Sequence, residues 1–238
     1  MIVTIDGPAG SGKSTTARLV AQKLGFKYLD TGATYRAVAL AVIRNNIDPK
    51  ERHAVEHLAS ELTIDFEEGK VILDGEDITQ EIRTEEVGRV ASLCATYKGV
   101  RENMVTLQRR LARSYDVVCE GRDIGTVVFP EAEVKIYLDA SLSERAKRRA
   151  NELVVAKFRF RRDKLQSRLG GTEKGMYSTI EKIEKDLLSR DLQDSQREYS
   201  PLRIPEDAVI IDTTNLSIDE EVEAVIKVIS NIKNQTSK

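Results

Sequence analysis

Short apolar runs alternate along the chain with longer stretches in which apolar residues recur every three or four positions. This alternation predicts an α/β fold built on a parallel sheet flanked by helices. Ile2–Ile5 reads as a buried first strand. After a glycine-rich turn, Ala17, Val20, Ala21 and Leu24 fall on one face of a helix. Four more strands are predicted at Phe26–Leu29, Val117–Cys119, Val134–Leu138 and Ala208–Ile211. The last helix opens with a capping box, Ser217-Ile-Asp-Glu220, and presents Val222, Val225, Ile226 and Ile229 as one apolar face. The polar end, Asn231 to Lys238, is expected to fray.

Two segments depart from this scheme. Between about residues 62 and 79, alternating apolar positions on both sides of Glu67-Glu-Gly-Lys70 predict an antiparallel hairpin, which is foreign to a parallel sheet. It marks an inserted subdomain from about Thr31 to Gly99. The second segment is 144–168, where ten Lys or Arg face only Glu144, Glu152 and Asp163. Ser141-Leu-Ser-Glu144 caps its start, Gly170-Gly171 breaks it, and Ser178-Thr-Ile-Glu181 reads as a fresh capping box, so a basic helical hairpin is predicted.

Composition narrows the function classes. The 238 residues carry 37 basic and 39 acidic side chains, a net charge of −2, so global basicity gives no argument for nucleic acid. With 40% hydrophobic residues the chain can bury a sizeable core, and composition gives no argument for disorder. The longest unbroken apolar run, Ala37 to Ile43, falls well short of the roughly 20 residues a membrane span needs. The N-terminus enters its first strand with no basic leader, so a cytoplasmic location is expected. Cys94 and Cys119 are too few for a disulfide framework or a four-thiolate zinc site.

Gly7-Pro8-Ala9-Gly10-Ser11-Gly12-Lys13-Ser14 matches G-x-x-x-x-G-K-[ST] in full, with a predicted strand before it and a helix after it. Glycines there let the backbone curl until several N–H groups converge on phosphate oxygens at the positive end of the helix. Lys13 is expected to reach the β- and γ-phosphates and the Ser14 hydroxyl to hold Mg²⁺. A purine nucleoside triphosphate with magnesium is therefore the expected ligand. The motif alone does not choose among kinases, GTPase switches and motor ATPases. The chain has neither an Asn-Lys-x-Asp nor a Thr-Lys-x-Asp guanine reader. Its third strand runs into Glu120-Gly-Arg122-Asp123, an acid followed at once by a base, which suits a second phosphorylated substrate better than water activation.

Transfer between two phosphates gathers negative charge, and guanidinium groups at the carboxyl ends of parallel strands meet it best. Arg36, after the second strand, and Arg122, after the third, hold such positions.

The P-loop through Thr15, Leu29-Asp-Thr-Gly-Ala-Thr-Tyr-Arg36, Gly75-Glu-Asp-Ile-Thr-Gln-Glu-Ile-Arg83-Thr-Glu-Glu-Val87, Gly121-Arg-Asp-Ile-Gly-Thr-Val-Val-Phe-Pro130 and Ser189-Arg-Asp191 together resemble the bacterial cytidylate kinase family. The motifs cover nearly the whole chain in the right order, and the later ones are far more specific than the P-loop. The resemblance implies a P-loop NTPase core with a five-stranded parallel sheet (residues 1–30, 100–143 and 189–238). It also implies an α+β monophosphate-binding insert (31–99) and a helical lid (144–188). The activity it implies is transfer from Mg-ATP to CMP or dCMP by a monomer. Carried over by position, Arg36, Arg122 and Arg197 hold the acceptor phosphate, and Ser92, Arg101 and Asp123 read cytosine. Thr31, Arg190 and Asp194 lie near the sugar, Thr31 keeping the hydroxyl of the Ser that the family often has there. Lys13, Arg36, Arg122, Arg190 and Arg197 form the catalytic set.

Two readings outside this one remain at the level of sequence: a kinase of another nucleoside monophosphate, and a P-loop switch protein touching RNA through the basic hairpin. Phe158 and Phe160 among Arg159, Arg161 and Arg162 have the aromatic-basic look of a nucleic-acid contact. A solvated basic helix is a further reading of the same segment. In the kinase frame Arg145, Arg148 and Arg149 fall where a lid brings charge onto the transferring group, and the segment is longer than in compact members. His53-Ala-Val-Glu56-His57 matches a short zinc pattern, but it has no third ligand and is read as an exposed helix.

Overall fold

The computed structural model describes residues 1–67, 69–161 and 173–236, and side chains for all of these except 153–161, 173–179, 235 and 236. The chain runs β1 (Ile2–Asp6), α1 (Lys13–Leu24), β2 (Lys27–Asp30), α2 (Thr31–Arg44), α3 (Arg52–Glu61), β3 (Ile64–Glu67), β4 (Lys70–Leu73) and β5 (Glu76–Asp77). It continues through α4 (Glu85–Cys94), α5 (Lys98–Ala112), β6 (Val117–Gly121), β7 (Val134–Asp139), α6 (Leu142–Arg161), α7 (Glu173–Gln196), β8 (Val209–Asp212) and α8 (Ile218–Thr236).

The main sheet has the order β2-β6-β1-β7-β8, and all four pairings are parallel. Its strands are the five predicted ones, each ending at least one residue later than the apolar runs suggested. Gly121 apart, the added residues are acids: Asp30 stands in register with Glu120 and Asp139 with Asp212, and Asp6 pairs with Gly121. Backbone pairing continues through them because the ladder does not depend on side-chain polarity. The sheet thus carries acids along the edge where parallel α/β sheets bind ligands.

Two apolar layers hold the sheet. Val3 and Ile5 of β1 pack with Ala17 and Val20 of α1 and Val222, Val225 and Ile229 of α8. On the other face Leu29, Val117 and Cys119 meet Ala112 of α5, with Ile124 and Val128 of a π-helical turn. Period-2 strands with both faces covered explain the near-continuous apolar runs. The capping box of α8 forms as predicted: Glu220 N–H donates to Ser217 Oγ, and Ser217 N–H donates to Glu220 Oε2 at 2.8 Å.

The insert has its own core, in which Val38 and Val42 of α2 meet Val55 of α3, Ile64, Val71 and Leu73 of the small sheet, and Met104 of α5. That sheet is antiparallel with order β3-β4-β5, so the expected hairpin gains a third strand. The extra turn is Asp74-Gly75, with φ of 50° and 86°, the two positive values that a type I′ hairpin turn requires. The expected segment limits at 99/100 and 188/189 fall inside α5 and α7.

Helices α6 and α7 pack through Ala146, Ile183 and Leu187, with Ala9 of the P-loop against the same cluster. The fresh helix start expected at Ser178 is corrected: α7 already begins at Glu173 and passes through it. A Ser-x-x-Glu quartet caps only where its N–H groups are free, and inside a helix the preceding turn has taken them. The Gly170-Gly171 break lies outside the described residues.

Candidate active site

The P-loop leaves β1 at Gly7, whose φ is +152°. A Cβ there would stand 2.0 Å from Leu138 O, so the turn admits no side chain. Gly12 is the N-cap of α1 at φ 96°, and a Cβ on it would stand 2.7 Å from Glu221 Oε2. Between them Pro8, Ala9, Gly10 and Ser11 curl around the Lys13 ammonium, which donates to Pro8 O at 2.6 Å and Ser11 Oγ at 3.4 Å. Those two acceptors leave one N–H of the three for a phosphate oxygen. Burial, and then the Arg122 charge, pulls the Lys13 pKa down to about 7. Thr15 N–H and Thr16 N–H both turn back to Gly12 O at 3.1 Å.

Ser14 Oγ donates to Glu120 Oε1 at 2.6 Å, and Tyr28 OH donates to the same oxygen at 3.3 Å. Burial holds the Glu120 carboxyl above its ordinary range, followed by repulsion from Asp30, its register partner across the sheet. A strand-end acid on the P-loop hydroxyl is a hard-oxygen donor set that suits magnesium. The sequence reading gave Glu120 no such place. Asp6 was also missed. Its carboxylate accepts from Ile124 N–H at 2.9 Å and Gly125 N–H at 2.7 Å, and burial pushes its pKa up to about 6.

Beyond Ser14 opens a cleft of about 230 Å³. All of Thr31, Arg36, Ser92, Arg101, Arg122, Asp123, Arg190, Asp194 and Arg197 line it, so residues far apart in the chain meet in one place. Arg36 comes from α2, donating to Ile82 O at 2.9 Å, and Gly88 leaves room for its guanidinium. Arg122 Nε donates to Asp194 Oδ2 at 2.8 Å. Arg190 and Arg197 project from α7 and the turn after it; burial lowers the pKa of each, and neighbouring arginines lower it further. Burial lowers that of Arg36 as well. So many half-buried cations in one cleft fit a polyanionic ligand.

Deeper in the cleft, Asp123 (4% exposed) receives a bond from Arg101 Nη2 and faces Arg197 Nη2 at 3.4 Å. Arg101 Nε and Arg197 Nη2 are buried without a hydrogen-bond partner, donors that a ligand can satisfy. Thr31 Oγ1 donates to Glu120 O at 2.7 Å, lying where a Cβ on Gly121 would sit. Ser92 lines the wall from α4. Arg83, unassigned from the sequence, pairs with Asp30 at 3.3 Å and also lines a second cavity of about 940 Å³. That second cavity is bounded by Gly10, Gly12 and Thr15 of the P-loop, by Arg148 and Asn151, and by Leu216 and Ile218.

The three arginines expected in the lid have different surroundings. Arg145 is buried, donating to Ala140 O, Ala9 O and Asp191, so it braces the P-loop against α7. Arg148 donates to Thr213 O at 2.6 Å and pairs with Glu221 at 3.0 Å on the wall of the second cavity. Arg149 pairs with Glu152 at 2.8 Å. The side chains of Phe158, Arg159, Phe160 and Arg161, together with Arg162, lie outside those described. In the zinc-like pattern, Glu56 accepts from Gly99 N–H at 2.9 Å and from Arg52, so it caps α5. No cluster of metal-ligating side chains is present among the described residues.

A P-loop at the switch of a five-stranded parallel sheet, facing a second cleft ringed with arginine, defines a phosphotransferase with a phosphorylated acceptor. The cytidylate kinase family model matches residues 3–170 and 166–231. A cytidylate kinase of Thermosipho melanesiensis is 46% identical over 95% of this chain and 95% of its own. That of Lactobacillus johnsonii is 44% identical over 96% and 94%, and that of Chlorobaculum tepidum 41% over 100% and 96%. A shikimate kinase of Bacteroides thetaiotaomicron overlays with a TM-score of 0.47 at 13% identity over 97% of this chain and 98% of that one. The fold assignment rests on the sheet order and not on that overlay. The chain belongs to the cytidylate kinase family.

Proposed function

We propose that this protein transfers the γ-phosphoryl group of ATP to CMP and dCMP, giving ADP and CDP or dCDP. The observation that carries the reading is the cleft that five further arginines share with a buried Arg101–Asp123 pair next to the P-loop. An oxygen of the acceptor phosphate attacks the γ-phosphorus while the bond to the β–γ bridging oxygen breaks. No strong base is required, because that acceptor is already an anion. Positioning and charge compensation do the rest.

Gly7 to Thr15 cradle the donor phosphates, with Lys13 on the β- and γ-oxygens. Arg36, Arg122, Arg190 and Arg197 orient the acceptor phosphate and offset the charge of the transition state. Ser14 and Glu120 would hold magnesium, which when bound offsets phosphate charge. Arg148 faces the donor side from the lid and Arg149 lies near Arg36 and Arg190, while Arg145 positions Ala9. Closing α6 and α7 over the donor excludes water, which would otherwise compete for the phosphoryl group.

Cytosine presents an amino donor beside a ring-nitrogen acceptor, matching a carboxylate (Asp123) next to a guanidinium (Arg101), with Ser92 on the cleft wall. Uracil reverses both positions and leaves buried groups unpaired. Thr31 and Asp194 lie toward the sugar. We propose that it acts as a monomer. We place the protein in the cytoplasm; no described helix is long and apolar enough to cross a membrane.

The test is ADP release from Mg-ATP with CMP, dCMP, UMP, AMP and GMP in parallel. Turnover selective for the two cytidine nucleotides is expected. Turnover centred on another base would overturn the roles of Ser92, Arg101 and Asp123, and nucleotide binding without transfer would overturn the kinase reading.

A further inference from the structure

Helix α7 presents Arg190, Gln193 and Asp194 at i, i+3 and i+4, one face turned toward the cleft, and Arg197 follows just past its end. Three of these are accounted for above. Gln193 is not a lining residue of the acceptor cleft, yet it makes two bonds across to α4. Its Nε2 donates to Ser92 O at 2.9 Å, and Ser92 Oγ donates to its Oε1 at 3.3 Å.

These two bonds fix a direction. Near the C-terminal end of α4 the Thr96 N–H turns to Leu93 O, and Ser92 O takes its bond from Gln193 instead. A backbone carbonyl only accepts, so the amide atom facing it must be the nitrogen. The atom facing Ser92 Oγ is then the amide oxygen, which also only accepts. The Ser92 hydroxyl must therefore spend its single proton on Gln193. What it turns toward the cleft is a lone pair.

We infer that Gln193 is a specificity-positioning residue. By holding the Ser92 hydroxyl as an acceptor toward the cleft, it favours a base edge that donates, the amino group of cytosine, over one that accepts, the O4 carbonyl of uracil. The inference rests on the reading that Ser92 touches the base. It also ties base selection to the lid, since the residue that orients the base reader lies on a lid helix.

The experiment compares kcat/KM for CMP and UMP in wild type, Gln193→Met, Gln193→Glu, Ser92→Ala and the Gln193→Met/Ser92→Ala double variant, with melting temperatures to confirm folding. Methionine keeps length and helix propensity but removes both bonds. The CMP-over-UMP ratio is expected to fall about five- to tenfold, the discrimination that one oriented hydrogen bond supplies. Ser92→Ala is expected to lower the ratio similarly, and the double variant no further, because Gln193 acts through that hydroxyl. Glutamate still accepts the Ser92 proton, so it is expected to retain more of the ratio than methionine does. Equal losses for both acceptors, with the ratio unchanged in Gln193→Met while Ser92→Ala lowers it, would overturn the inference and leave Gln193 a mere docking contact. An unchanged ratio in Ser92→Ala would instead overturn the base-reading role of Ser92, and this inference with it.

Discussion

Arg122→Ala tests the acceptor side of the site most directly. Its Nε is committed to Asp194 at 2.8 Å and its Nη1 makes only a 3.4 Å contact with Gly121 O. The outer fork therefore has about two N–H directions for phosphate oxygens, and a charge-assisted bond contributes about 1.5–3 kcal/mol. Together they amount to about 3–6 kcal/mol, or a fall of about 10²- to 10⁴-fold in kcat/KM for CMP. The fold should tolerate the change. Asp194 keeps Arg197 at 3.7 Å, and the lost pair is partly exposed, so stability drops by about 1 kcal/mol. Donor binding should survive as well, since Arg122 does not line the second cavity and its charge is one of the influences that depress the Lys13 pKa. The assay pairs steady-state ADP release at varied CMP with titration of a fluorescent ATP analogue. Arg122→Lys, which keeps the charge but not the fork, should fall between wild type and alanine. A variant folded, binding ATP normally and within threefold of wild type in kcat/KM would refute the assignment.

Other perturbations follow from the same geometry. Gly7→Ala forces a Cβ against Leu138 O and should lower stability by more than about 3 kcal/mol together with loss of ATP binding, read by thermal melting with and without nucleotide. Asp6 has its pKa raised from 3.8 to about 6, so the native state holds its proton more tightly than the unfolded chain. Its contribution is full below about pH 4 and is lost as pH rises to about 6, a difference of up to about 3 kcal/mol. The stability of wild type minus that of Asp6→Asn should decline across that window, and a flat difference would contradict the raised pKa. Arg145→Ala leaves Asp191 and Ala9 O without their donor and should cost about 2–4 kcal/mol, visible in denaturant midpoints, whereas a solvated lid arginine would cost almost nothing. His53→Ala with His57→Ala should leave turnover unchanged and insensitive to added zinc.

What could be read in the sequence shows where information of each kind resides. The P-loop, the five strands and the α8 cap were legible because each is local: a motif, a run, a quartet. The third strand of the insert was not, because Glu76-Asp77 offers no apolar alternation, although Asp74-Gly75 was its signal. Ser14 meets Glu120 across 106 positions and Gln193 meets Ser92 across 101, so single polar residues gave no warning of those pairings. Arg145 and Arg149 looked alike in a basic run. Only the packing of Ala146 and Ile183 turns the first inward, beside Asp191, while the second stays nearer solvent.

The length of α7 matters as much as its side chains. Because α7 is a single helix from Glu173 to Gln196, it works as a reading frame for the arginine-lined cleft. Each residue inserted or deleted between Leu187 and Arg197 would rotate everything on one side of the change by about 100° relative to the other. A change just after Leu187 would turn Arg190, Asp194 and Arg197 away from the cleft, and Gln193 away from Ser92, while Leu187 stayed seated on α6. Changes of length before Ile180 leave this alignment intact, because the residues that seat α7 on α6 all follow that point. The ten residues from Leu188 to Arg197 are therefore constrained in number as well as in identity.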